Sequence, residues 1–329
     1  MNNKTILVTG GAGFIGSALC RKLITETNNK VVVLDKMTYA SDINSLAPII
    51  NNKKLIFIKG SIGDKTCVDS IYLKYKPDYV FNLAAETHVD NSITDPFPFI
   101  QTNIVDTHIF IHRSLKYYLK THNKNFKFLQ ISTDEVYGDI DIDKPAASET
   151  NPYNPSSPYS ASKAAGDHLI KSYVRTYKFP GLISNCSNNY GPFQHQEKFI
   201  PVIINSILNN KKIPVYGNGL QIREWIYVDD HCDGLIKLIK SGSIGENYNI
   251  GTDNGIQNVQ IISIVLTILK QKSIIKDDDI NNHVSFVDDR AGHDKKYAIN
   301  SDKIKKECGW LNETSLVDGL GITINSIIH

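Results

Sequence analysis

The chain has 329 residues, of which 41% are hydrophobic, and its 36 basic and 34 acidic residues give a formal net charge of +2. This length suffices for one large or two medium domains, since single hydrophobic cores seldom grow beyond about 250–300 residues. No stretch is strongly basic, so a dedicated nucleic-acid-binding protein is not expected.

The sequence also lacks the usual signals for membranes, secretion and metals. No apolar run approaches the roughly 20 residues that a membrane helix requires. The first strand follows the N-terminus too closely for a signal peptide, so we expect a cytoplasmic protein. The five cysteines are widely spaced, with no CxxC pair, and we therefore predict reduced thiols and no metal site.

Short β-branched runs alternate with amphipathic stretches through the first half of the chain. The runs are KTILVTG, VVVLD, LIFIKG, DYVFNLA, FKFLQIS and GLISN. Nearly continuous apolar runs of this kind are typical of strands buried on both faces of a parallel sheet. The sequence therefore predicts an α/β fold with a doubly wound parallel sheet.

The pattern changes near residue 190, where Gly- and Pro-containing segments alternate with helical stretches at 198–210 and 257–271. We expect residues 1–188 to form the domain that carries the large sheet. Residues 189–329 should form mainly a smaller α/β domain that faces the substrate. Part of the second half, roughly residues 225–250, is expected to return to the large sheet.

A glycine-rich loop, TGGAGFIG, follows the first predicted strand and places Gly10, Gly13 and Gly16 directly before an apolar helix. Glycine lets the backbone approach a pyrophosphate, and the helix N-terminus offers free N–H groups. Asp35 ends the second strand, where a carboxylate can bind ribose hydroxyls and repel a 2′-phosphate. A Rossmann domain that prefers NAD⁺ to NADP⁺ is therefore predicted, although Lys36 could meet a phosphate.

Two groups of residues are candidates for catalysis. Tyr159 and Lys163 are four residues apart at the start of a predicted helix, so their side chains share one face. We expect the lysine and the cofactor to lower the pKa of Tyr159, which can then act as a base. Thr133, Asp134 and Glu135 follow the strand FKFLQIS, at the sheet edge where doubly wound folds bind ligands.

Motifs along the chain resemble those of one family. The strings TGGAGFIG, AAETHVDNSI, STDEVYG, SPYSASKAAGDH, CSNNYGPFQ, QIREWIYVDD and DDRAGHDKKYAI are similar to those of extended short-chain dehydrogenases/reductases, specifically the dTDP-glucose 4,6-dehydratases. The resemblance extends from about residue 4 to about residue 320. Its most specific part is Thr133-Asp134-Glu135, because related epimerases lack the acid pair.

The resemblance implies a mechanism. Tyr159, helped by Lys163 and Thr133, would oxidise the glucose C4 hydroxyl while a hydride passes to NAD⁺. Glu135 would remove the C5 proton as protonated Asp134 donates to the departing C6 hydroxyl, and the hydride would then return to C6. Asp134 and Glu135 must therefore hold different protonation states at neutral pH.

The resemblance also implies binding residues and an assembly. Those for NAD⁺ are Gly10, Gly13, Phe14, Ile15, Gly16, Asp35, Lys36, Thr38, Ser61, Ile62, Leu83, Ala84, Ala85, Tyr159, Lys163 and Asn188. Those for the nucleotide sugar are Glu86, Thr87, His88, Asn189, Lys198, Phe199, Pro214, Tyr216, Arg223, Asn258, Arg290, His293 and Tyr297. A homodimer formed through helices of the Rossmann domain is implied as well.

Several positions depart from the usual bacterial pattern of this family. Asn91 and Asn185 stand where arginines are usual, Gln196 and Ala291 stand in place of prolines, and Ser61 in place of an aspartate. These departures leave the adenine contact and the base preference open.

Alternative functions remain. The string THVDNS also resembles relatives that accept UDP-glucose, so a UDP-glucose 4,6-dehydratase is one alternative. A UDP-sugar 4-epimerase or decarboxylase would share the glycine loop and the YxxxK pattern but not the acid pair. A non-catalytic NAD-binding protein would not need the catalytic residues together.

Overall fold

The computed structural model describes residues 2–328, so Met1 and His329, the outermost residues of the two expected domains, lie outside the described part. The strands are β1 (Thr5–Thr9), β2 (Lys30–Asp35), β3 (Leu55–Lys59), β4 (Tyr79–Asn82), β5 (Lys127–Thr133), β6 (Gly181–Cys186), β7 (Asn188–Tyr190), β8 (Ile213–Tyr216), β9 (Ile222–Tyr227), β10 (Asn247–Ile250), β11 (Gly255–Gln257) and β12 (Val284–Val287).

The α-helices are α1 (Phe14–Glu26), α2 (Lys65–Tyr75), α3 (Val89–Thr94), α4 (Phe97–Ile100), α5 (Thr107–Thr121), α6 (Pro158–Tyr177), α7 (Phe199–Leu208), α8 (Val228–Ser241), α9 (Asn258–Gln271), α10 (Asp302–Cys308) and α11 (Leu316–Ile328). Shorter helical segments are Ile43–Leu46, Asp134–Tyr137, Ile280–Asn282 and the π-helical Gln101–Asp106. Over residues 2–328, no helix is long and apolar enough to cross a membrane.

A seven-stranded parallel sheet forms the centre of the fold, in the order β10-β6-β5-β4-β1-β2-β3. All six strands predicted in the first half belong to it, and the predicted doubly wound α/β fold is confirmed. Helices cover both faces. In β2, Val31 and Val33 join an apolar core with α1 and α8, whereas Val32 and Leu34 join a core with α2, α5 and α6.

Part of the second half packs on the large sheet. β10 pairs with β6, α8 lies against α1, and α10 lies against α8 and β10. Trp310, just after α10, is fully buried and donates its indole N–H to the carbonyl of Asp230 at 2.9 Å. The returning part thus reaches residue 310, beyond the expected 225–250, because Ile304 and Trp310 join the same core as α8.

The remaining elements form a smaller lobe with its own apolar core. β11, β9 and β7 make one small sheet, and β12 pairs with β8 in another. The core between them collects side chains of α7, α9 and α11, including Ile203, Ile261 and Leu320. Only Ser187 separates β6 from β7, so this lobe begins directly at the carboxyl end of a central strand.

Candidate active site

The loop between β1 and α1 is shaped by its glycines. Gly10 has a φ of +65°, and a Cβ there would lie 2.8 Å from the backbone nitrogen of Ala84. A Cβ on Gly16 would lie 2.1 Å from the carbonyl oxygen of Gly10. Neither position accepts a side chain without backbone movement. No side chain caps the first turn of α1, so its N–H groups remain available to an anionic ligand.

Asp35 ties the glycine loop to the end of β2. Its carboxylate accepts the backbone N–H of Ala12 at 2.9 Å, the backbone N–H of Met37 at 2.8 Å and the hydroxyl of Ser41 at 2.9 Å. These three bonds hold a buried carboxylate at the rim of the loop. Asp35 therefore has a structural role in addition to the ribose contact expected from its position.

A single cavity collects the predicted catalytic and cofactor-binding residues. Every residue predicted to bind NAD⁺ lines it, and so do Thr133, Asp134 and Glu135. From the predicted nucleotide-sugar set, the lining residues are Glu86, Thr87, Asn189, Lys198 and Phe199. They come together because the loops after β1, β2, β4, β5 and β6 all leave the same edge of a parallel sheet.

Thr133 connects the acid pair to Tyr159. Its hydroxyl donates to Oδ1 of Asp134 at 3.2 Å and accepts the backbone N–H of Glu135 at 3.3 Å, and Thr133 also lies near enough to Tyr159 to act on its pKa in the lowering direction. Oδ2 of Asp134 and Oε2 of Glu135 are buried and find no hydrogen-bond partner among residues 2–328. Each carboxyl therefore has one oxygen free for a ligand.

The two acids lie in different electrostatic environments. Burial raises the pKa of Asp134 well above its ordinary value, and the neighbouring charges of Glu135 and Glu224 raise it further. Burial also raises the pKa of Glu135, but the positive charges of Arg290, Arg223 and Lys198 oppose that rise. Asp134 is therefore the more readily protonated member of the pair.

Tyr159 and Lys163 are both buried on α6, and Nζ of Lys163 donates to the carbonyl of Ile131 at 2.6 Å. The expected fall in the pKa of Tyr159 does not occur with protein groups alone. Burial raises that pKa well above its ordinary value, and the charge of Glu135 adds to the rise. Burial and the nearby acids, which the spacing of the two residues does not reveal, raise this pKa.

Eight residues predicted to bind the nucleotide sugar do not line this cavity: His88, Pro214, Tyr216, Arg223, Asn258, Arg290, His293 and Tyr297. Arg223 is buried over the ring of Tyr297, 4.2 Å from its centre, and donates to the carbonyls of Ile222 and Asp294, each at 2.8 Å. Although it does not line the cavity, it lies near enough to affect the pKa of both acids.

Arg290 and Tyr216, both in the smaller lobe, contact the side chain of Asp90 in the larger lobe. Nη1 of Arg290 lies 3.3 Å from one carboxylate oxygen of Asp90, and the Tyr216 hydroxyl donates to the other at 3.4 Å. Nε2 of His88, two residues before Asp90, lies 3.7 Å from a carboxylate oxygen of Glu197. These residues link the two lobes beside the cavity.

Further lining residues were not predicted from the sequence. They are Leu34, Ala40, Ser41, Gly60, Thr102, Ile131, Ser132, Cys186, Ser187, Gln194, His195, Glu197 and Trp225. Many stand next to predicted residues in strings such as CSNNYGPFQ and QIREWIYVDD, and this adjacency was the available signal. The sequence held no such signal for Thr102, because this residue lies in a π-helical segment without a loop motif.

Comparison with known proteins places the chain among nucleotide-sugar enzymes. The model of the GDP-mannose 4,6-dehydratase family matches residues 7–323. A dTDP-glucose 4,6-dehydratase of Escherichia coli is 45% identical over 334 aligned positions, which cover 97% of this chain and 92% of that protein.

Solved structures of similar fold are also nucleotide-sugar enzymes. A dTDP-glucose 4,6-dehydratase from Streptomyces venezuelae, crystallised with NAD bound, superposes with a TM-score of 0.91 at 36% identity, covering 98% of this chain and 97% of that one. A UDP-glucose 4-epimerase from Thermotoga maritima superposes with a TM-score of 0.86 at 28% identity, covering 98% of each chain. The fold alone thus does not separate dehydratases from epimerases. With the family model matched over residues 7–323 and a relative 45% identical across nearly its whole length, the protein belongs to the GDP-mannose 4,6-dehydratase family of extended short-chain dehydrogenases/reductases.

Proposed function

We propose that this chain is a dTDP-glucose 4,6-dehydratase that converts dTDP-glucose to dTDP-4-keto-6-deoxyglucose with NAD as a resident cofactor. The observation that carries the proposal is the convergence of Tyr159, Asp134 and Glu135 on one cavity with the glycine loop. The near-full-length identity to dTDP-glucose 4,6-dehydratases supports the same activity.

The residues around the glycine loop fit NAD. A Cβ at Gly10 or Gly16 would collide with the protein's own backbone, so only glycine permits this tight turn. Both glycines line the cavity at the uncapped start of α1, where N–H groups can bind a pyrophosphate. The Asp35 carboxylate lines the cavity where a ribose would lie and would repel a 2′-phosphate. When bound there, oxidised NAD supplies a hydride acceptor and a positive charge beside Tyr159.

The protein groups can then divide the work as follows. Tyr159 takes the proton of the C4 hydroxyl while the hydride on C4 leaves to the acceptor that NAD would supply, and the resulting ketone acidifies the hydrogen on C5. Glu135, whose ionised form is favoured by Arg290, Arg223 and Lys198, takes the C5 proton. Asp134, whose protonated form is favoured by burial, donates to the departing C6 hydroxyl. The stronger rise in the pKa of Asp134, and the cations that oppose the rise in the pKa of Glu135, support these roles.

We further propose that the two lobes bind different parts of the ligands. The sheet-bearing lobe, mainly residues 1–188, holds the cofactor, and the lobe from residue 189 onward holds the nucleoside diphosphate. Arg223 and Arg290 are the natural partners of a diphosphate, because guanidinium groups bind phosphate in a bidentate manner.

The five cysteines are free thiols, which agrees with a reducing compartment such as the cytoplasm.

A homodimer is proposed through α5 and α6, which lie against each other. Along α5 and the turn before it, Val105, His108, Lys116 and Leu119 are exposed at helical spacing, so they form a stripe on one face. Val105 is 41% and Leu119 is 51% exposed. A stripe with apolar ends next to α6 suits the same surface of a second copy.

The first test is the reaction itself. With NAD present, we expect the purified protein to convert dTDP-glucose into a product lighter by one water, as measured by mass spectrometry. UDP-glucose is incubated in parallel, and a faster reaction with it would assign the uridine nucleotide instead. A product of unchanged mass would point to an epimerase, and tight NAD binding without turnover of either sugar would point to a non-catalytic protein.

The second test separates catalysis from cofactor binding. Asp134→Asn and Glu135→Gln should each lower kcat by about 10²–10⁴-fold, because each removes one proton-transfer group. NAD binding, followed by fluorescence, should change little. The control is Asp143→Asn, which alters an exposed acid of the following loop. Dehydration at the normal rate by either site variant would contradict the assigned roles.

The third test concerns stability. Folding raises the pKa of Asp134 above its ordinary value of 3.8. The free energy of unfolding therefore falls as the pH rises above 3.8, and the fall is complete once the pH exceeds the pKa of the folded state. Asp134→Asn cannot ionise, so it should melt at a higher temperature than the unsubstituted chain at pH 8. The difference should shrink towards pH 4. Calorimetry without ligands measures it, and a constant difference across this range would show that Asp134 ionises freely.

The fourth test addresses assembly. Light scattering should give about twice the chain mass of 36.8 kDa. Leu119→Glu should shift the mass towards the monomer, because it buries a charge in the proposed interface. Leu73→Glu on α2, where the side chain is 72% exposed, is the matched control and should leave the mass unchanged. Equal behaviour of the two variants would place the interface elsewhere.

A further inference from the structure

Asp167 is a fully buried carboxylate that the chemistry described above does not use. It lies four residues after Lys163 on α6, so the two side chains share one face of the helix. It does not line the cavity. A buried acid one turn from a buried lysine calls for a physical explanation, because each charge alone is costly to bury.

The carboxylate joins three parts of the chain around the strand that carries the acid pair. Its Oδ2 accepts hydrogen bonds from the hydroxyl of Ser132 at 2.7 Å, the hydroxyl of Tyr153 at 3.1 Å and the amide of Asn185 at 3.4 Å. Ser132 directly precedes Thr133 in β5, and Asn185 also donates to the carbonyl of Thr133 at 3.3 Å. Asp167 therefore anchors the end of β5.

Its second oxygen, Oδ1, is buried and has no hydrogen-bond partner within the described residues. Burial raises the pKa of Asp167 to about 6, while the hydrogen bond from Ser132 and the charge of Lys163 oppose the rise. The group is thus mainly ionised at neutral pH. Its negative charge is held in a region of low dielectric constant, where its effect on neighbouring groups is strong.

Lys163 is the neighbour that depends on this charge. Burial lowers the pKa of Lys163, and Asp167 is the largest influence that opposes the fall, followed by Cys186. Burial raises the pKa of the Cys186 thiol to about 12, so that thiol carries no charge near neutral pH. Asp167 is then the main source of negative charge that keeps the lysine protonated.

The other groups facing Asp167 do not take over this role. The phenols of Tyr153 and Tyr137 have pKa values raised by burial and stay neutral. Lys171, on the same helix, is a further cation whose charge opposes the rise in the pKa of Asp167. Asn185, which donates to the same carboxylate oxygen, is uncharged.

We propose that Asp167 is a positioning residue that acts through Lys163: its buried negative charge keeps the lysine ammonium protonated one turn from Tyr159, and its hydrogen bonds hold the end of β5 against α6. The inference rests on the proposed function, because it assigns Lys163 a charged role in the oxidation at C4. Asp167 would then act on a residue that lines the cavity without lining the cavity itself.

The kinetic test is the pH dependence of kcat for dehydration. In Asp167→Asn the pKa of Lys163 falls, so the loss of activity at alkaline pH should begin at a pH lower by about one unit. This is the low end of the effect of one opposite charge, because Lys163 donates to the Ile131 carbonyl rather than to Asp167. Tyr153→Phe is the matched control. It removes one hydrogen bond from the same oxygen but keeps the charge, so its alkaline limb should stay in place.

A direct measurement does not depend on turnover. In the full chain labelled with ¹³C-lysine, the Cε resonance of Lys163, assigned by its loss in Lys163→Arg, reports its protonation during a pH titration. The resonance should titrate at lower pH in Asp167→Asn than in the unsubstituted chain or in Tyr153→Phe. Asn185→Arg, which sets a cation against Asp167, should shift it in the same direction and serves if Asp167→Asn does not fold.

The outcomes separate the possible roles. Superimposable titrations of Lys163 in the unsubstituted chain, Asp167→Asn and Asn185→Arg would overturn the inference, even if activity fell equally at every pH, as expected for a purely structural anchor. A chain that dehydrates no nucleotide sugar would count against the proposed function. The titration of Lys163 would still decide whether Asp167 controls its charge.

Discussion

A buried line of side-chain hydrogen bonds crosses the central sheet just below the site. Thr9 on β1 donates to Asn82 on β4 at 2.6 Å, and Asn82 donates to Gln130 on β5 at 2.7 Å. All three side chains are buried, so each would lose a partner if one strand slipped. A slip of one strand by one residue would also turn every side chain of that strand to the opposite face of the sheet. This line therefore fixes where the glycine loop and the Thr133 segment emerge relative to each other.

The site concentrates ionisable groups in a buried region. Asp134, Lys163, Asp167 and Arg223 are all nearly or fully buried, although burying charged groups opposes folding. The arrangement gives the two acids different surroundings. The charges of Glu135 and Glu224 raise the pKa of Asp134, whereas the charges of Arg290, Arg223 and Lys198 oppose the rise in the pKa of Glu135. Two adjacent acids of similar chemistry thereby acquire different protonation preferences, as acid–base chemistry at one centre requires.

The smaller lobe completes this arrangement from outside the central sheet. Lys198 donates to the carbonyl of Thr87 at 3.2 Å, and Arg290 and Tyr216 both meet Asp90. These contacts cross from one lobe to the other beside the cavity. The lobe proposed to bind the diphosphate therefore also carries the cations Arg290, Arg223 and Lys198 that oppose the rise in the pKa of Glu135.

The sequence alone determined the parallel sheet, the glycine loop and the residues at the strand ends, because apolar runs, glycines and polar strand ends leave local patterns in the chain. It could not determine the protonation preferences, the line from Thr9 to Gln130 or the place of Asp167, which depend on burial and on partners distant in sequence. It also missed the return of Trp310 to the large core, since no periodic pattern marks that segment. Only the tertiary structure decided these, because desolvation and Coulomb interactions depend on distances in space rather than on spacing along the chain.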